Sequence, residues 1–226
     1  MRAMSSAPLA AVFDMDGTLV DNMGFHAQAW IQTARRHGVF NVDVEHFEQH
    51  FAGKKNEEIF PELLQREIPA DELNAYAWDK EVLYRELATS SLQPMPGLLA
   101  FLDALRARKI PLAIATAAPK ENRELVIELF GLRSRIDAVV GAEDVVKGKP
   151  APDIFLKAAA ALGIDPAVCV AFEDAKNGVL SARAAGMSVV GVVTTTPAER
   201  LLAAGCFCTL TDYGQRPAVL DARLFA

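Results

Sequence analysis

The sequence predicts an α/β protein in which a doubly wound, Rossmann-like parallel sheet is interrupted by an all-helical insert. Three observations support this fold class. Short apolar runs alternate with helical segments from about residue 105 onward, and one further apolar run, residues 9–13, lies near the N-terminus. Residues 18–92 have helical spacing and no convincing strand. We therefore expect a core made of residues 1–17 and 93–226, with residues 18–92 as a helical cap domain.

The predicted core elements follow from apolar runs and from the residues that end them. Strands are predicted at the short apolar runs of residues 9–13, 110–115, 136–140, 168–172 and 188–193. Helices are predicted at residues 119–130, 152–162 and 175–185, and a glycine directly follows each of them. Glycine is frequent just past a helix end because it adopts the left-handed conformation there without steric strain. Strands and helices that alternate in this way form a parallel sheet with helices on both faces.

The insert has three stretches with helical spacing, residues 26–37, 56–66 and 71–90. It contains all four histidines and both tryptophans of the chain. A cluster of helix-breaking residues, Pro94, Pro96 and Gly97, then marks the return of the chain to the core. The insert therefore separates the first predicted strand from the rest of the sheet.

Composition and charge exclude several classes of protein. The 226 residues carry a formal net charge of −6, so binding to nucleic acid has little electrostatic support. No apolar stretch approaches the roughly 18 residues of a membrane-spanning helix, and the short N-terminal apolar run is a poor secretory signal. The three cysteines do not suggest a disulfide framework, and Cys206-Phe207-Cys208 is too isolated for a zinc site. We therefore expect a cytoplasmic protein.

Two aspartates stand directly after the first predicted strand, in the segment Asp-Met-Asp-Gly-Thr at residues 14–18. Side chains two residues apart on extended chain point the same way, and open α/β sheets bind ligands beyond the carboxyl ends of their strands. Two close carboxylates repel each other unless a cation joins them, and Mg²⁺ is a suitable ion. A calcium loop would require glutamate at its twelfth position, which is Phe25 when Asp14 is counted as the first. An ordinary surface turn stays open as an alternative.

Three further motifs stand at or near predicted strand ends. Thr116 follows a strand where a hydroxyl and free N–H groups suit an anionic oxygen, and an ordinary helix cap is the alternative. Lys149, which Pro150 should keep extended and out of any helix, could approach a phosphate as a point charge or be an ordinary solvated lysine. Glu173 and Asp174 form a second acidic pair, suited to a divalent metal or to the dipole at the start of a helix.

The order of these four motifs resembles the haloacid dehalogenase (HAD) superfamily of phosphotransferases. The resemblance runs over nearly the whole chain and rests on the motifs at residues 14–18, 116, 149–150 and 173–174. Two further segments, His-Ala-Gln-Ala-Trp from residue 26 and Lys-Pro-Ala-Pro-Asp-Ile-Phe from residue 149, are similar to the β-phosphoglucomutase-like branch. The resemblance implies a HAD-like phosphotransferase core, and it implies that the insert is the helical cap of that branch.

The resemblance also implies a role for each residue of the motifs. Asp14 would be the nucleophile that forms an aspartyl phosphate, and Asp16 would act as general acid and then as general base. Thr116, Ala117 and Lys149 would hold the phosphoryl oxygens. Phosphoryl transfer depends mainly on positioning and charge neutralisation, which a cation, a lysine and backbone N–H groups supply.

A Mg²⁺ cofactor is implied by the same resemblance. Its ligands would be Asp14, the main-chain carbonyl of Asp16, and Asp174, with Glu173 binding directly or through water. One position departs from the pattern, because many relatives have a serine directly after the acidic pair and this chain has Ala175. A hydrogen bond that supports the ligands is therefore expected to be absent or moved.

The cap departs further from the mutases of this branch. In those enzymes a cap loop carries a lysine and an arginine that bind the substrate, whereas Ala52 and Asn56 stand at the matching positions here. Lys54 and Lys55 are close but displaced. Because a mutase must rebind a bisphosphate intermediate, loss of the guanidinium should impair a mutase more than a phosphatase. His26, Lys54 and Asn56 are the candidate substrate-binding residues of the cap, and an ordinary cap-helix histidine is the alternative for His26.

We therefore expect a Mg²⁺-dependent phosphatase that hydrolyses a small phosphomonoester, such as a sugar phosphate, through an aspartyl-phosphate intermediate. The alternative is a β-phosphoglucomutase-type sugar phosphate mutase. A catalytically inactive binding protein on this fold is a third hypothesis, but the retained Asp14, Asp16, Lys149 and Asp174 argue against it. We expect a monomer that binds a small phosphorylated metabolite and that binds neither nucleic acid nor a membrane.

Overall fold

The computed structural model describes residues 10–51 and 56–225. The strands of its core are β1 (Ala10–Phe13), β2 (Leu112–Ala115), β3 (Ala138–Val140), β4 (Cys169–Glu173), β5 (Ser188–Val192) and β6 (Cys208–Leu210). They form one parallel sheet in the order β3-β2-β1-β4-β5-β6. Because the order reverses at β1, the carboxyl ends of β1, β2 and β4 lie side by side at the position where open α/β sheets bind ligands.

One set of helices forms the insert, and a second set belongs to the core, where it covers the sheet. The insert contains α1 (Met23–Arg36), α2 (Val44–His46), a π-helix (Phe47–Phe51), α3 (Asn56–Leu64) and α4 (Ala70–Ala88). The core contains α5 (Leu98–Ala107), α6 (Lys120–Leu129), α7 (Asp153–Leu162), α8 (Lys176–Ala184), α9 (Ala198–Ala204) and α10 (Ala218–Phe225), with short 3₁₀ helices at Leu132–Ser134, Ala142–Asp144 and Pro166–Val168. Within the described part of the chain, no helix combines the length and the apolar character needed to cross a membrane.

The central strands are completely buried, which explains their apolar sequences. No residue of β1 or β2 has exposed surface. Alternate residues of these strands pack against α7 and α8 on one face of the sheet. On the other face the ring of Phe13 stacks on that of Phe172 with centroids 4.5 Å apart, and Phe101 of α5 and Tyr213 pack beside them. The two faces therefore have separate apolar contacts around one sheet.

The insert is a compact unit of its own. Residues 21–93 form one unit, and residues 10–20 and 94–225 form the other. The described residues of the insert contain helices and no strand. Its core is built around Trp30, whose ring lies 4.7 Å from that of Phe60 and 5.8 Å from that of Phe51, measured between centroids. That this unit acts as a cap stays a prediction.

The predicted fold class, a Rossmann-like parallel sheet with helices, is confirmed. The five predicted strands are present within two residues of their expected bounds, apart from residue 9, which lies outside the described residues. The three predicted core helices are present within one residue of theirs. The strand β6 and the helices α5, α9 and α10 were not predicted.

Candidate active site

Three buried carboxylates meet at the carboxyl ends of the central strands. Phe13 of β1 pairs with Phe172 of β4, and the N–H of Asp14 donates to the carbonyl of Phe172 at 2.9 Å. This pairing brings Asp14 beside Glu173 and Asp174, and one carboxylate oxygen of each lies within 4.8 Å of the others. All three residues are at most 7% exposed. Such a group of oxygens could hold a divalent metal ion.

Lys149 joins two of these carboxylates. Its Nζ donates to Oδ1 of Asp14 at 2.5 Å and to Oε1 of Glu173 at 2.6 Å. The side chain is 12% exposed, and its ammonium lies 5.1 Å from the centre of the Phe155 ring. Lys149 lies outside any helix, as expected, but in a turn and not in extended chain, and its peptide bond to Pro150 is cis. The alternative of an ordinary solvated lysine is therefore excluded.

Gly178 of α8 makes room for the Glu173 carboxylate. This role of Gly178 was not predicted from the sequence. A Cβ at this position would lie 1.7 Å from Oε1 and 2.3 Å from Oε2 of Glu173. Oε2 accepts hydrogen bonds from the backbone N–H groups of Asp174 and Ala175 at 3.0 and 3.1 Å. The two backbone N–H groups, the Lys149 ammonium and the surface of α8 at Gly178 therefore hold the Glu173 carboxylate in place together. The sequence signal was a glycine inside a helix, which usually has a packing reason.

Burial dominates the electrostatics of this cluster. Burial raises the pKa of Asp14 to about 8, which Lys149 opposes and the carboxylates of Glu173 and Asp16 reinforce. Burial, followed by repulsion from Glu173 and Asp14, also raises the pKa of Asp174 well above its usual range. For Lys149, burial alone would lower the pKa, but its two carboxylate partners raise it above the usual value. With all groups ionised, three negative charges face one positive charge, so the donor set fits a divalent cation.

The turn after β1 carries Asp16 away from the three clustered carboxylates. The strand ends at Phe13 and the chain bends at Met15, so Asp14 and Asp16 do not lie on one extended strand as expected. Asp16 is half-buried, and its carboxylate is not part of the cluster. Gly17 has a φ of 73°, and a Cβ there would lie 2.1 Å from Oδ2 of Asp174, so glycine allows this close approach. The hydroxyl of Thr194 donates to the Gly17 carbonyl at 2.5 Å and holds the turn in place.

Thr116 and Ala117 begin the turn after β2. Because β2 pairs with β1 in parallel, this turn starts at the same edge of the sheet as Asp14. Thr116 is 1% exposed, and its Oγ1 accepts from the N–H of Ala118 at 3.0 Å, which leaves the hydroxyl hydrogen available for a ligand. The helix α6 begins after Pro119, so Thr116 is not its N-cap residue. Ala117 is exposed.

The insert contains a buried polar cluster of its own, formed by His26, Asn56, Lys80, Glu81 and Tyr84, which we call the insert cluster. Nζ of Lys80 lies 3.0 Å from Nδ1 of His26 and 2.9 Å from Oε1 of Glu81. Asn56 Nδ2 donates to the same oxygen at 2.9 Å, and the ring of His26 stacks on that of Tyr84. Burial, followed by the charge of Lys80, lowers the pKa of His26 to about 3. The imidazole is therefore neutral and accepts a hydrogen bond from the ammonium.

Three members of the insert cluster, Lys80, Glu81 and Tyr84, were not predicted, and one predicted candidate cannot be placed. Lys80 and Glu81 are 2% and 6% exposed, although charged neighbours on a helix are usually solvated. The structure joins them to the predicted residues His26 and Asn56. The third candidate, Lys54, lies outside the described residues, as do the residues on either side of it.

The fold and the site together define a class of protein: a doubly wound α/β enzyme core with an acidic, lysine-bridged site at its central strand ends. A model of the family described as haloacid dehalogenase-like hydrolase matches residues 9–186, which include all four core motifs. The chain therefore belongs to the haloacid dehalogenase-like hydrolases. The predicted superfamily, and the prediction of an enzyme of this hydrolase type, are confirmed.

Two similar proteins carry the names of phosphatases. Validoxylamine A 7'-phosphate phosphatase from Streptomyces hygroscopicus subsp. limoneus is 32% identical over 199 residues, which cover 84% of this chain and 88% of that protein. Fructose-1-phosphate phosphatase YqaB from Escherichia coli (strain K12) is 34% identical over 181 residues, 80% of this chain and 94% of that protein. A solved structure of β-phosphoglucomutase from Clostridium difficile has a TM-score of 0.82 at 23% identity, covering 96% of this chain and 97% of that one, and shows a shared fold.

Proposed function

We propose that this protein is a Mg²⁺-dependent phosphatase that hydrolyses a small phosphomonoester through an aspartyl phosphate on Asp14. The observation that carries the proposal is the position of this carboxylate, 2.5 Å from Nζ of Lys149 and within 4.8 Å of oxygens of Glu173 and Asp174. A nucleophile, a cation for the phosphoryl group and acids for a metal are thereby held at one place. The names of the two similar proteins support a phosphatase in particular.

Asp14 and Asp174, with the main-chain carbonyl of Asp16, are the proposed Mg²⁺ ligands. When bound, the ion would neutralise charge on the phosphoryl oxygens. Glu173 fits binding through water better than direct ligation, because Oε1 already accepts from Lys149 and Oε2 from two backbone N–H groups. In this proposal the main task of Glu173 is to hold the ammonium of Lys149 beside the nucleophile.

The proposed reaction has two steps. An oxygen of Asp14 attacks phosphorus, and the bond from phosphorus to the leaving oxygen breaks while Asp16 donates a proton to that oxygen. Asp16 then takes a proton from a water molecule that attacks the same phosphorus, which releases inorganic phosphate and regenerates Asp14. The Thr116 hydroxyl, the Ala117 N–H and the Lys149 ammonium would hold the phosphoryl oxygens in both steps.

A sugar phosphate or a similar metabolite is the proposed substrate. The two similar phosphatases are named for fructose 1-phosphate and validoxylamine A 7'-phosphate. In the insert, the partly exposed amide of Asn56 has one N–H engaged by Glu81 and can donate the other to a hydroxyl group. Asn56 offers no charge to a second phosphate, which favours a phosphatase over a mutase. We further propose a monomer in the cytoplasm, where the three free, buried cysteines would stay reduced.

The test is a phosphate-release assay with Mg²⁺ on a panel of sugar and polyol phosphates. A coupled glucose 6-phosphate assay on β-glucose 1-phosphate, with bisphosphate primer, runs on the same preparation. We expect release from at least one ester and slower isomerisation. The control is Asp14→Asn, prepared identically, which keeps the shape of the side chain and removes the attacking charge. Isomerisation faster than phosphate release would support the mutase alternative. Normal phosphate release by folded Asp14→Asn would refute the covalent mechanism.

A further inference from the structure

One buried arginine fastens the turn after β2 to the segment after β3. Arg123 of α6 is 6% exposed. Its Nη1 donates to the carbonyl of Ala118 at 2.9 Å and to Oε2 of Glu143 at 2.8 Å, and its Nη2 donates to Oε1 of Glu143. The guanidinium thus forms a fork with one carboxylate and one backbone carbonyl. Arginine suits this geometry because its planar donors point in fixed directions, which those of lysine do not.

The two fastened segments are those that carry the proposed phosphate donors. The N–H of Ala118 donates to Oγ1 of Thr116, so this residue is held by Thr116 on one side and by Arg123 on the other. Glu143 lies in the 3₁₀ helix Ala142–Asp144, which opens the segment that leads to Lys149. The fork therefore sets the position of the turn that begins at Thr116 relative to the segment that carries Lys149.

The backbone at Gly141 is built around this guanidinium. Its φ of −109° and ψ of 177° are an extended conformation that other residues adopt readily. A Cβ there, however, would lie 2.0 Å from Nη1 and 2.4 Å from Cζ of Arg123. Glycine at this position therefore leaves the space that the guanidinium occupies, and its conformational freedom is not required. The close approach supports a fixed position for the arginine.

The ion pair itself contributes little to stability, because the Glu143 side chain is 52% exposed. The bond to the buried carbonyl of Ala118 matters more, since its loss leaves a buried acceptor unpaired. We infer that Arg123 is a positioning residue for phosphate binding. It holds the turn so that the Thr116 hydroxyl and the Ala117 N–H face the phosphoryl group, and it does not touch the substrate. This inference rests on the proposed function.

The experiment measures binding of inorganic phosphate by calorimetry in the presence of Mg²⁺, together with kcat and KM for the best sugar phosphate. Arg123→Met keeps the length of the side chain and removes the fork, so the phosphate Kd and KM should both rise about tenfold, with a smaller fall in kcat. Arg123→Lys retains one hydrogen bond and should restore part of the affinity.

The control is Arg106→Met, because Arg106 of α5 also joins a carboxylate to a backbone carbonyl, but at the opposite end of the strands and with a side chain that is 39% exposed. Its Nη1 donates to Oδ1 of Asp137 at 2.9 Å and to the carbonyl of Arg135 at 3.0 Å, just before β3 begins. This variant should leave the phosphate Kd and KM unchanged.

The outcomes separate the inference from the proposed function. Equal phosphate Kd values for wild type, Arg123→Met and Arg106→Met would overturn the inference, even if the thermal stability of both variants falls. If Arg123→Met does not fold, the comparison of wild type with Arg123→Lys decides in the same way. A wild-type protein that binds phosphate but hydrolyses no ester would refute the proposed function, and the Kd values would still decide the role of Arg123. A wild-type protein that binds no phosphate would refute both.

Discussion

Acidification should destabilise the helical insert through His26. Burial and then Lys80 lower the pKa of His26 from 6.5 to about 3, because protonation would place two cations 3.0 Å apart in a buried site. Below about pH 6.5 the unfolded chain binds a proton at this imidazole and the folded chain does not. The free energy of unfolding therefore falls as the pH drops from about 6.5 towards about 3.

The size of the effect follows from the two pKa values. A group with these values loses about 2 kcal/mol of stability between about pH 7 and about pH 5, and about 4 kcal/mol by about pH 3. Glu81 does not contribute to the loss between about pH 7 and about pH 5. Burial opposes ionisation of Glu81, but Lys80 and His26 lower its pKa to about 2, so its contribution is lost only below its ordinary value of 4.5.

Urea unfolding followed by tryptophan fluorescence measures this effect in the insert, since Trp30 and Trp78 are the two tryptophans of the chain and both lie there. The control is His26→Asn, whose amide oxygen can accept a hydrogen bond from Lys80 but cannot be protonated. Wild type should lose about 2 kcal/mol more than this variant between about pH 7 and about pH 5. The carboxylates of the core are present in both proteins and cancel. Equal losses in the two proteins would refute the reasoning.

Three further predictions concern the core site. EDTA should abolish phosphate release and Mg²⁺ should restore it, whereas Ca²⁺ should not, because it prefers more ligands at longer distances. Full turnover in metal-free buffer would contradict the proposed metal dependence. Gly178→Ala should slow turnover by roughly tenfold or more, because the added Cβ would push Glu173 away from Lys149. Gly24→Ala, whose Cβ would meet nothing within 4 Å, should leave turnover unchanged, and equal rates for the two variants would count against a role of Gly178 in placing Glu173. Asp16→Asn should lower kcat/KM, which reports the step in which the leaving group departs, far more for alkyl phosphates than for p-nitrophenyl phosphate, whose leaving group needs no proton. An equal fall in kcat/KM for both substrates would remove Asp16 as the acid.

Much of the core could be predicted because its signals are local in sequence. A short apolar run that ends in an acid, as β1 does at Asp14, is typical of a buried strand with a site at its end, and β4 repeats the pattern at Glu173. Helical spacing closed by glycine located α6, α7 and α8 within one residue. The strand β6 was missed because Cys208–Leu210 is too short to show a periodicity.

Details of the site depend on contacts between distant residues and could not be predicted. Lys80 meets His26 across 54 positions of the chain, and nothing in its neighbourhood distinguishes it from a solvated lysine. Gly178 matters because of the space that Glu173 occupies, which only the packing of α8 reveals. The rule for extended chain placed Asp16 among the clustered carboxylates, but the strand ends too early for that rule to apply.

The central claim is that Asp14 forms a covalent bond to phosphorus. The most direct measurement is to quench the enzyme in acid during turnover with Mg²⁺, reduce it with borohydride and map the peptides by mass spectrometry. Borohydride reduces an acyl phosphate to an alcohol, so the account predicts homoserine at Asp14, formed only when substrate is present. Reduction at a different carboxylate, or an unchanged Asp14 while phosphate is being released, would contradict it.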